Sequence, residues 1–284
     1  MMVAERKVAD EEEEFRWINK MKVEIKELKP KKAKIRIEDT SLYFANSLRR
    51  TMIADLPKLA VDDVVIYDNT SALFDEIISH RLGLVPIPTD LKLISFRDEC
   101  ACKGKGCPNC TVRYTLSKEG EGTIYSGDLQ AAEKSWAITE DKIPIVELYG
   151  DQRLILEVEA VLGRGRDHAK WQTVQSPSYK MDKTIEFDNK KMNDLEKFMK
   201  KLPKDLIKIN KNKIELNNPE KLSLLEYYMD KEKTDFITIK QDPTKLTFSF
   251  ETDGSMKAKD VLIETTKILK EKYKEFSKLL KDIK

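Results

Sequence analysis

The chain has 284 residues, 40% of them hydrophobic and 36% charged, with 52 Lys+Arg set against 50 Asp+Glu for a net charge of +2. That much apolar content supports a sizeable core and excludes global disorder, and the length allows one to three domains. The near-neutral balance argues against a protein that grips nucleic acid by charge alone.

No run of 18 apolar residues is present, and Glu11 to Glu14 stand where a signal peptide would carry its apolar stretch. The expected location is therefore cytoplasmic. Residues 1–20 are polar and acidic-rich with no sustained period, and are read as a mobile extension with Phe15 and Trp17 as docking side chains. From Met21, MKVEIKEL and AKIRIE alternate apolar and polar residues around Pro30, which predicts a two-stranded hairpin with one buried face. A helix follows over 41–54, opened by Asp39, Thr40 or Ser41 and closed by Pro57. On a wheel, Leu42, Phe44, Ala45, Leu48, Met52 and Ile53 share one half, while Asn46, Ser47, Arg50 and Thr51 share the other. Arg49 falls inside the apolar sector and there needs a carboxylate or carbonyl partner.

Strands are expected over 61–67, 112–116, 143–149 and 153–162, separated by glycines and prolines, so residues 57–179 read as a β-rich unit. Composition shifts over 180–213, where eleven lysines face six acids with no arginine; MNDLEKFMKKL is a short helix there. That lysine excess is read as a solvated surface. LTFSFE (246–251) alternates as a strand, Asp253-Gly254 turns the chain, and a helix is expected from Ala258 to Ile283. Its stripe of Val261, Leu262, Ile268, Leu269, Tyr273, Phe276, Leu279, Leu280 and Ile283 spans roughly 140° and demands a second long surface.

All four cysteines fall between Cys100 and Cys110 in the pattern C-A-C-x4-C-P-N-C. Clustering of this kind in a reducing compartment favours metal ligation over disulfides. Cys100, Cys102, Cys107 and Cys110 supply four thiolates across a Gly-containing turn, which suits one tetrahedral structural zinc with no open position for water. Iron–sulfur ligation uses the same donors, and four reduced thiols without metal are a third reading. Neither histidine, His80 nor His168, has a nucleophile signature beside it, so no catalytic set is read. GRGRDHAKWQ (163–172) is basic but lacks the phosphate-loop pattern, and Asp167 and Trp171 are candidates for holding it to its own domain.

ANSLRRTMIADLP (45–57), NTSALFDEIISHRLGLVPI (69–87) and GRGRDHAKWQ, with the cysteine loop between the last two, resemble the D-type subunit family of archaeal RNA polymerase. They are also similar to the third-largest subunit of eukaryotic RNA polymerase II, and more distantly to the N-terminal domain of bacterial alpha. The resemblance covers about 21–179 and 236–284. It implies an α+β fold: a split alpha-type dimerisation domain, with an antiparallel sheet plus two long helices, made from 21–56 and 236–284. Into it are inserted a β-rich domain (57–179) bearing the zinc loop and a third insertion (180–235). In some relatives that third insertion is ferredoxin-like with an iron–sulfur cluster; here it holds no cysteine, so no cluster is expected.

The resemblance further implies a non-catalytic assembly subunit of DNA-dependent RNA polymerase that pairs with the smaller alpha-like subunit (L). The second-largest and largest subunits and the small subunits of the assembly platform would join it, and DNA would be met only through the assembled enzyme. Phe44, Leu48, Met52, Val261, Ile268, Leu269 and Phe276 would face partners. Arg49 and Arg50 match an arginine pair used near the second-largest subunit, with Arg49 the anchor. A free-standing zinc-containing nucleic-acid-binding protein is the alternative, disfavoured by the charge balance.

Overall fold

The computed structural model describes residues 21–188, 191–203, 206–210, 213–216 and 221–281. The extension 1–20 with Phe15 and Trp17, and Ile283 of the terminal stripe, lie outside the described residues. The chain is a mixed α+β protein with antiparallel sheets, and its backbone falls into two compact units.

The larger unit comprises Glu24–Ile35, Tyr43–Ser178 and Phe248 onward. Its core is a sheet in the order β3-β8-β4-β6, built from β3 (Pro57–Asn69), β4 (Thr111–Glu119), β6 (Gln130–Ala131) and β8 (Arg153–Arg164). Strict alternation explains why one face is dry. Val112, Tyr114 and Leu116 of β4 and Leu154, Leu156, Val158 and Ala160 of β8 all point inward, while Arg113, Thr115, Glu157 and Glu159 point out. Each buried aliphatic side chain contributes about 1.5–3 kcal/mol. A two-stranded sheet of β5 (Gly122–Tyr125) and β7 (Pro144–Leu148) and helix α2 (Asp75–Gly83), through Ile78 and Leu82, share the same core. The Tyr114 hydroxyl donates to the Trp136 carbonyl (2.8 Å), so the largest buried polar tip is satisfied.

The β3–β8 register slips between Val61 and Asp63, leaving Asp62 as an extra residue. This bulge turns two consecutive carboxylates to different ends: Asp62 meets Lys170 (2.5 Å) and Asp63 meets Arg97 (3.5 Å). The VDDV sequence carried no sign of it.

The same unit contains most of the hairpin β1 (Lys22–Lys29) and β2 (Lys32–Glu38), helix α1 (Leu42–Ala54) and helix α5 (Ala258–Lys281). Here the expected shared buried face of the hairpin is corrected. Ala33, Ile35 and Ile37 of β2 are buried, but β1 is the outermost strand and exposes Val23, Ile25 and Leu28. An edge strand has a neighbour on one side only, and nothing within the described residues roofs it. On α1 the wheel also needs correcting, because Thr51 of the supposed polar half is buried. Its single hydroxyl is cheaper to enclose than an arginine.

Of the described residues, the smaller unit comprises 21–23, Arg36–Leu42 and those between Tyr179 and Thr247. Of a sheet in the order β2-β12-β9-β11-β10, this unit holds the end of β2, residues 179–187 of β9 (Val174–Phe187), residues 237–247 of β12 (Ile237–Thr252), and all of β11 (Lys213–Leu216) and β10 (Ile207–Asn210). Helices α3 (Met192–Met199) and α4 (Leu222–Lys231) add Leu195, Phe198 and Leu225 to a core with Ile185, Phe187 and Ile214. Lys183, Lys191, Lys197 and Lys201 each pair with a nearby carboxylate, so part of the lysine excess is balanced at the surface. Such exposed pairs contribute about 0–1 kcal/mol each. Among the described residues no helix is long and apolar enough to cross a membrane.

Candidate metal centre and partner face

The four thiols converge because the loop before β4 turns on itself three times. Lys103 N–H donates to Cys100 O (2.9 Å), Lys105 N–H to Cys102 O (3.3 Å), and Cys110 N–H to Cys107 O (3.0 Å). Lys103, Gly104 and Gly106 take left-handed backbone angles with φ of 55°, 80° and 79°, which the two glycines adopt without cost. All four Sγ atoms lie within 4.8 Å of one another. The closest pairs are Cys100–Cys107 at 3.5 Å, Cys102–Cys110 at 3.6 Å and Cys107–Cys110 at 3.9 Å.

Those spacings exceed a disulfide bond and match the tetrahedron edge of about 3.8 Å that thiolates set around zinc at about 2.3 Å would give. The donor set therefore fits a four-coordinate metal. Contacts among the thiols shift two of them in opposite directions. Burial pushes Cys102 up, yet hydrogen bonds from Cys100, Cys110 and Cys107 outweigh it and bring Cys102 down to about 6. At Cys107 the backbone of Asn109 lowers the value, but the thiol contacts and burial prevail and raise it to about 11. A thiolate at Cys102 thus forms readily at neutral pH, while Cys107 holds its proton unless a cation replaces it.

The apolar stripe of α5 divides near Lys270. Val261, Thr265 and Leu269 are buried within this chain, whereas Tyr273, Phe276, Leu279 and Leu280 are exposed, Phe276 at 60%. Leu48 and Met52 of α1 are likewise buried. Leu48, Met52, Val261 and Leu269, which were expected to face a partner, are thus packed in this chain's own core. Phe44 and Ile268 are half-buried and Arg50 is exposed. Arg49 finds its carbonyl one turn back, where Asn46 Oδ1 accepts from Nε (3.2 Å) and Nη2 (3.0 Å). At the end of α1 the buried Asp55 carboxylate accepts from Arg166 and from Lys272 of α5. Burial and the cations Arg166, Arg164 and Arg50 hold the Lys272 ammonium below its ordinary range.

GRGRDHAKWQ is held to its own sheet. Trp171 Nε1 donates to Val161 O (3.2 Å), Lys170 lies over the Trp171 ring (4.4 Å), and the Arg166 N–H donates to Ala54 O (3.1 Å). Asp167 contributes its backbone N–H to Arg164 O (2.9 Å). His168 Nδ1 accepts from Lys170 N–H (3.0 Å) and has a turn-forming role. Residues that sequence reasoning missed are Lys58, Asp253, Arg97 and Glu159. No local spacing announces them, because the pairs Lys58–Asp253 and Arg97–Glu159 span 195 and 62 residues.

These elements define an antiparallel α+β protein whose insert carries a four-cysteine loop, and residues 64–189 match the sequence profile of the RNA polymerase Rpb3/RpoA insert domain. Proteins called DNA-directed RNA polymerase subunit Rpo3 are similar over nearly their whole length. The Picrophilus torridus protein is 38% identical over 88% of this chain and 96% of its own. Those of Methanosarcina mazei (37%) and Archaeoglobus fulgidus (34%) are each matched over 92% of this chain and 98% of theirs. The chain belongs to the archaeal RNA polymerase Rpo3 family.

Proposed function

We propose that the chain is the non-catalytic assembly subunit of a cytoplasmic DNA-directed RNA polymerase, nucleating the enzyme as a heterodimer with the smaller alpha-like subunit (L). The observation that carries this is the exposed second half of α5. Four large apolar side chains on a lone helix surface are too costly to leave in water, and an obligate contact of roughly 1,000 Å² or more would cover them. Residues 21–56 and 236–284 act as one discontinuous dimerisation domain; α1 and α5 lie in one compact unit, joined through Asp55 and Lys272. The inserts are 57–179 and a ferredoxin-like 180–235 without cysteines. Phe44, Ile268 and Phe276 contact L, and Arg49 and Arg50 serve the second-largest subunit. The largest subunit and the small platform subunits join later, and DNA is met only in the assembled enzyme.

Co-expression with L is expected to yield a soluble 1:1 complex. Phe276→Asp with Leu280→Asp should weaken it by about 30-fold or more, since two apolar anchors that together contribute about 2 kcal/mol or above are lost. The lone variant should melt with the wild type, because both side chains are exposed in the isolated chain. A stable wild-type monomer with tight DNA affinity at physiological salt would instead favour the free-standing nucleic-acid binder.

Cys100, Cys102, Cys107 and Cys110 hold one structural zinc, which closes the loop and does no chemistry. Elemental analysis should return one zinc per chain and no iron. Chelation should lower the melting midpoint of the insert by about 10 °C, as metal-binding energy is folding energy. Iron with acid-labile sulfide would overturn the assignment.

A further inference from the structure

We propose that Arg97 is the positioning residue of the metal loop: it ties the loop backbone to the central sheet and thereby sets how tightly the metal is held. This rests on the zinc reading of the four cysteines.

The loop needs such a tie. Cys110 is buried, but residues 101–109 are exposed or half-exposed and add no apolar anchor. Ordering a free loop costs about 1–2 kcal/mol per residue in backbone entropy, and the metal supplies that energy unless something else holds the loop first. Two contacts do so. Ser95 closes the base, its N–H and hydroxyl both donating to Asn109 O (2.9 and 3.2 Å). Arg97 holds the middle, where its Nε donates to Gly104 O (3.1 Å).

The guanidinium is fixed from below. Nη2 pairs with Glu159 Oε2 (3.3 Å) and Nη1 with Asp63 Oδ2 (3.5 Å). Glu159 stands opposite Asp63 on β3 and opposite Arg113 on β4, and Arg113 takes its other oxygen (2.8 Å). Glu159 is thus a central rung that divides its two oxygens between a sheet arginine and the loop arginine. The fit is close from above as well. A Cβ at Gly106 would sit 2.9 Å from Arg97 Nη2, so the loop rests on the guanidinium at a residue with no side chain. A centre of four thiolates and one divalent ion also carries two net negative charges, and Arg97 adds a cation to the loop that bears them.

Magnitude separates this role from a generic surface pair. Arg97 is about one-third exposed, and pairs of that kind contribute about 0–1 kcal/mol to folding. Outer contacts that orient a metal site change affinity by about 10–100-fold when lost. A bland ion pair therefore predicts a small, equal loss of stability in apo and zinc-loaded protein. Positioning predicts a loss confined to the metal.

The test uses the full chain in complex with L, loaded with zinc and, separately, with cobalt. Zinc transfer to a chromogenic chelator and the cobalt thiolate charge-transfer band are followed. Arg97→Gln should weaken zinc binding by about 10–100-fold while the apo melting point stays within a few degrees. Arg97→Lys should recover part of the loss, and Glu159→Gln, which frees the guanidinium without removing it, should shift affinity in the same direction. Zinc affinity within threefold of wild type in both Arg97→Gln and Glu159→Gln would overturn the proposal and leave the zinc assignment standing. A wild-type chain that takes up neither metal would overturn both.

Discussion

Gly163→Ala is expected to destabilise the larger unit by about 2–4 kcal/mol, although alanine is the better strand residue. A Cβ at position 163 would lie 2.2 Å from two Trp171 ring atoms and 2.7 Å from a third. No rotamer of an alanine relieves that, so the indole must leave. It then loses its hydrogen bond to Val161 O and its contact with the Lys170 ammonium. Both losses and the repacking belong to the overpacking range of about 1–3 kcal/mol, with about 1 kcal/mol more for the broken hydrogen bond. Thermal or urea unfolding of the single and double variants checks it. In a Trp171→Ala background the obstacle is gone, and Gly163→Ala should become neutral or stabilising by about 0.5–1 kcal/mol, the ordinary gain over glycine in a strand. Equal destabilisation in both backgrounds would mean that the indole is not the obstacle. A Cβ at Gly165 would meet backbone more closely still, 2.0 Å from Ile53 O, so the two glycines of GRGR each mark a close approach and neither serves a phosphate.

That pair shows where sequence reasoning ran out. The motif was visible as a unit, and Trp171 was rightly suspected of holding it in place, but nothing in the spacing of GRGRDHAKWQ says that the first glycine lies under the indole. Period-2 patterns located β3, β4, β7, β8 and the end of β12, because one dry face imposes alternation. They missed β9, whose Gln175, Ser176 and Ser178 leave no alternating record, and the first half of β12. The cysteine cluster was legible because metal geometry demands close spacing in sequence. The α5 stripe was legible as a stripe but not as two halves, since a wheel records direction and cannot record what lies opposite. Buried charge was the least legible. Lys58 sits in PKLAV and Asp253 in an apparent surface turn, and each reads as solvated until the chain closes.

Lys58→Met is expected to cost about 3–5 kcal/mol, the largest single-residue effect predicted for this chain. Lys58 and Asp253 are 3% and 8% exposed and lie 2.5 Å apart. The ammonium also donates to Lys170 O (3.0 Å), with Gln172 O at 3.5 Å, so its donors are matched on three sides. Asp253 uses its other oxygen for the N–H (3.0 Å) and hydroxyl (2.6 Å) of Ser255, which fixes the turn into α5. Removing the cation leaves a carboxylate enclosed without compensation, and it is that stranded charge, more than the lost attraction, that sets the cost. Asp253→Asn keeps the acceptor for Ser255 but offers no charge to Lys58, so it should cost less than removing the cation. The double variant Lys58→Met with Asp253→Asn has no stranded charge and should recover about 1–3 kcal/mol of the summed losses. Chemical denaturation of the four proteins measures that coupling. Additive losses would mean that the pair is solvated and that the turn into α5 is held by Ser255 alone. Because Lys58 joins the start of β3, the end of the basic loop and the turn before α5, its loss should also weaken binding of L by destabilising the base of the helix that presents Phe276. An affinity for L unchanged in Lys58→Met would show that the exposed half of α5 is positioned independently of that staple.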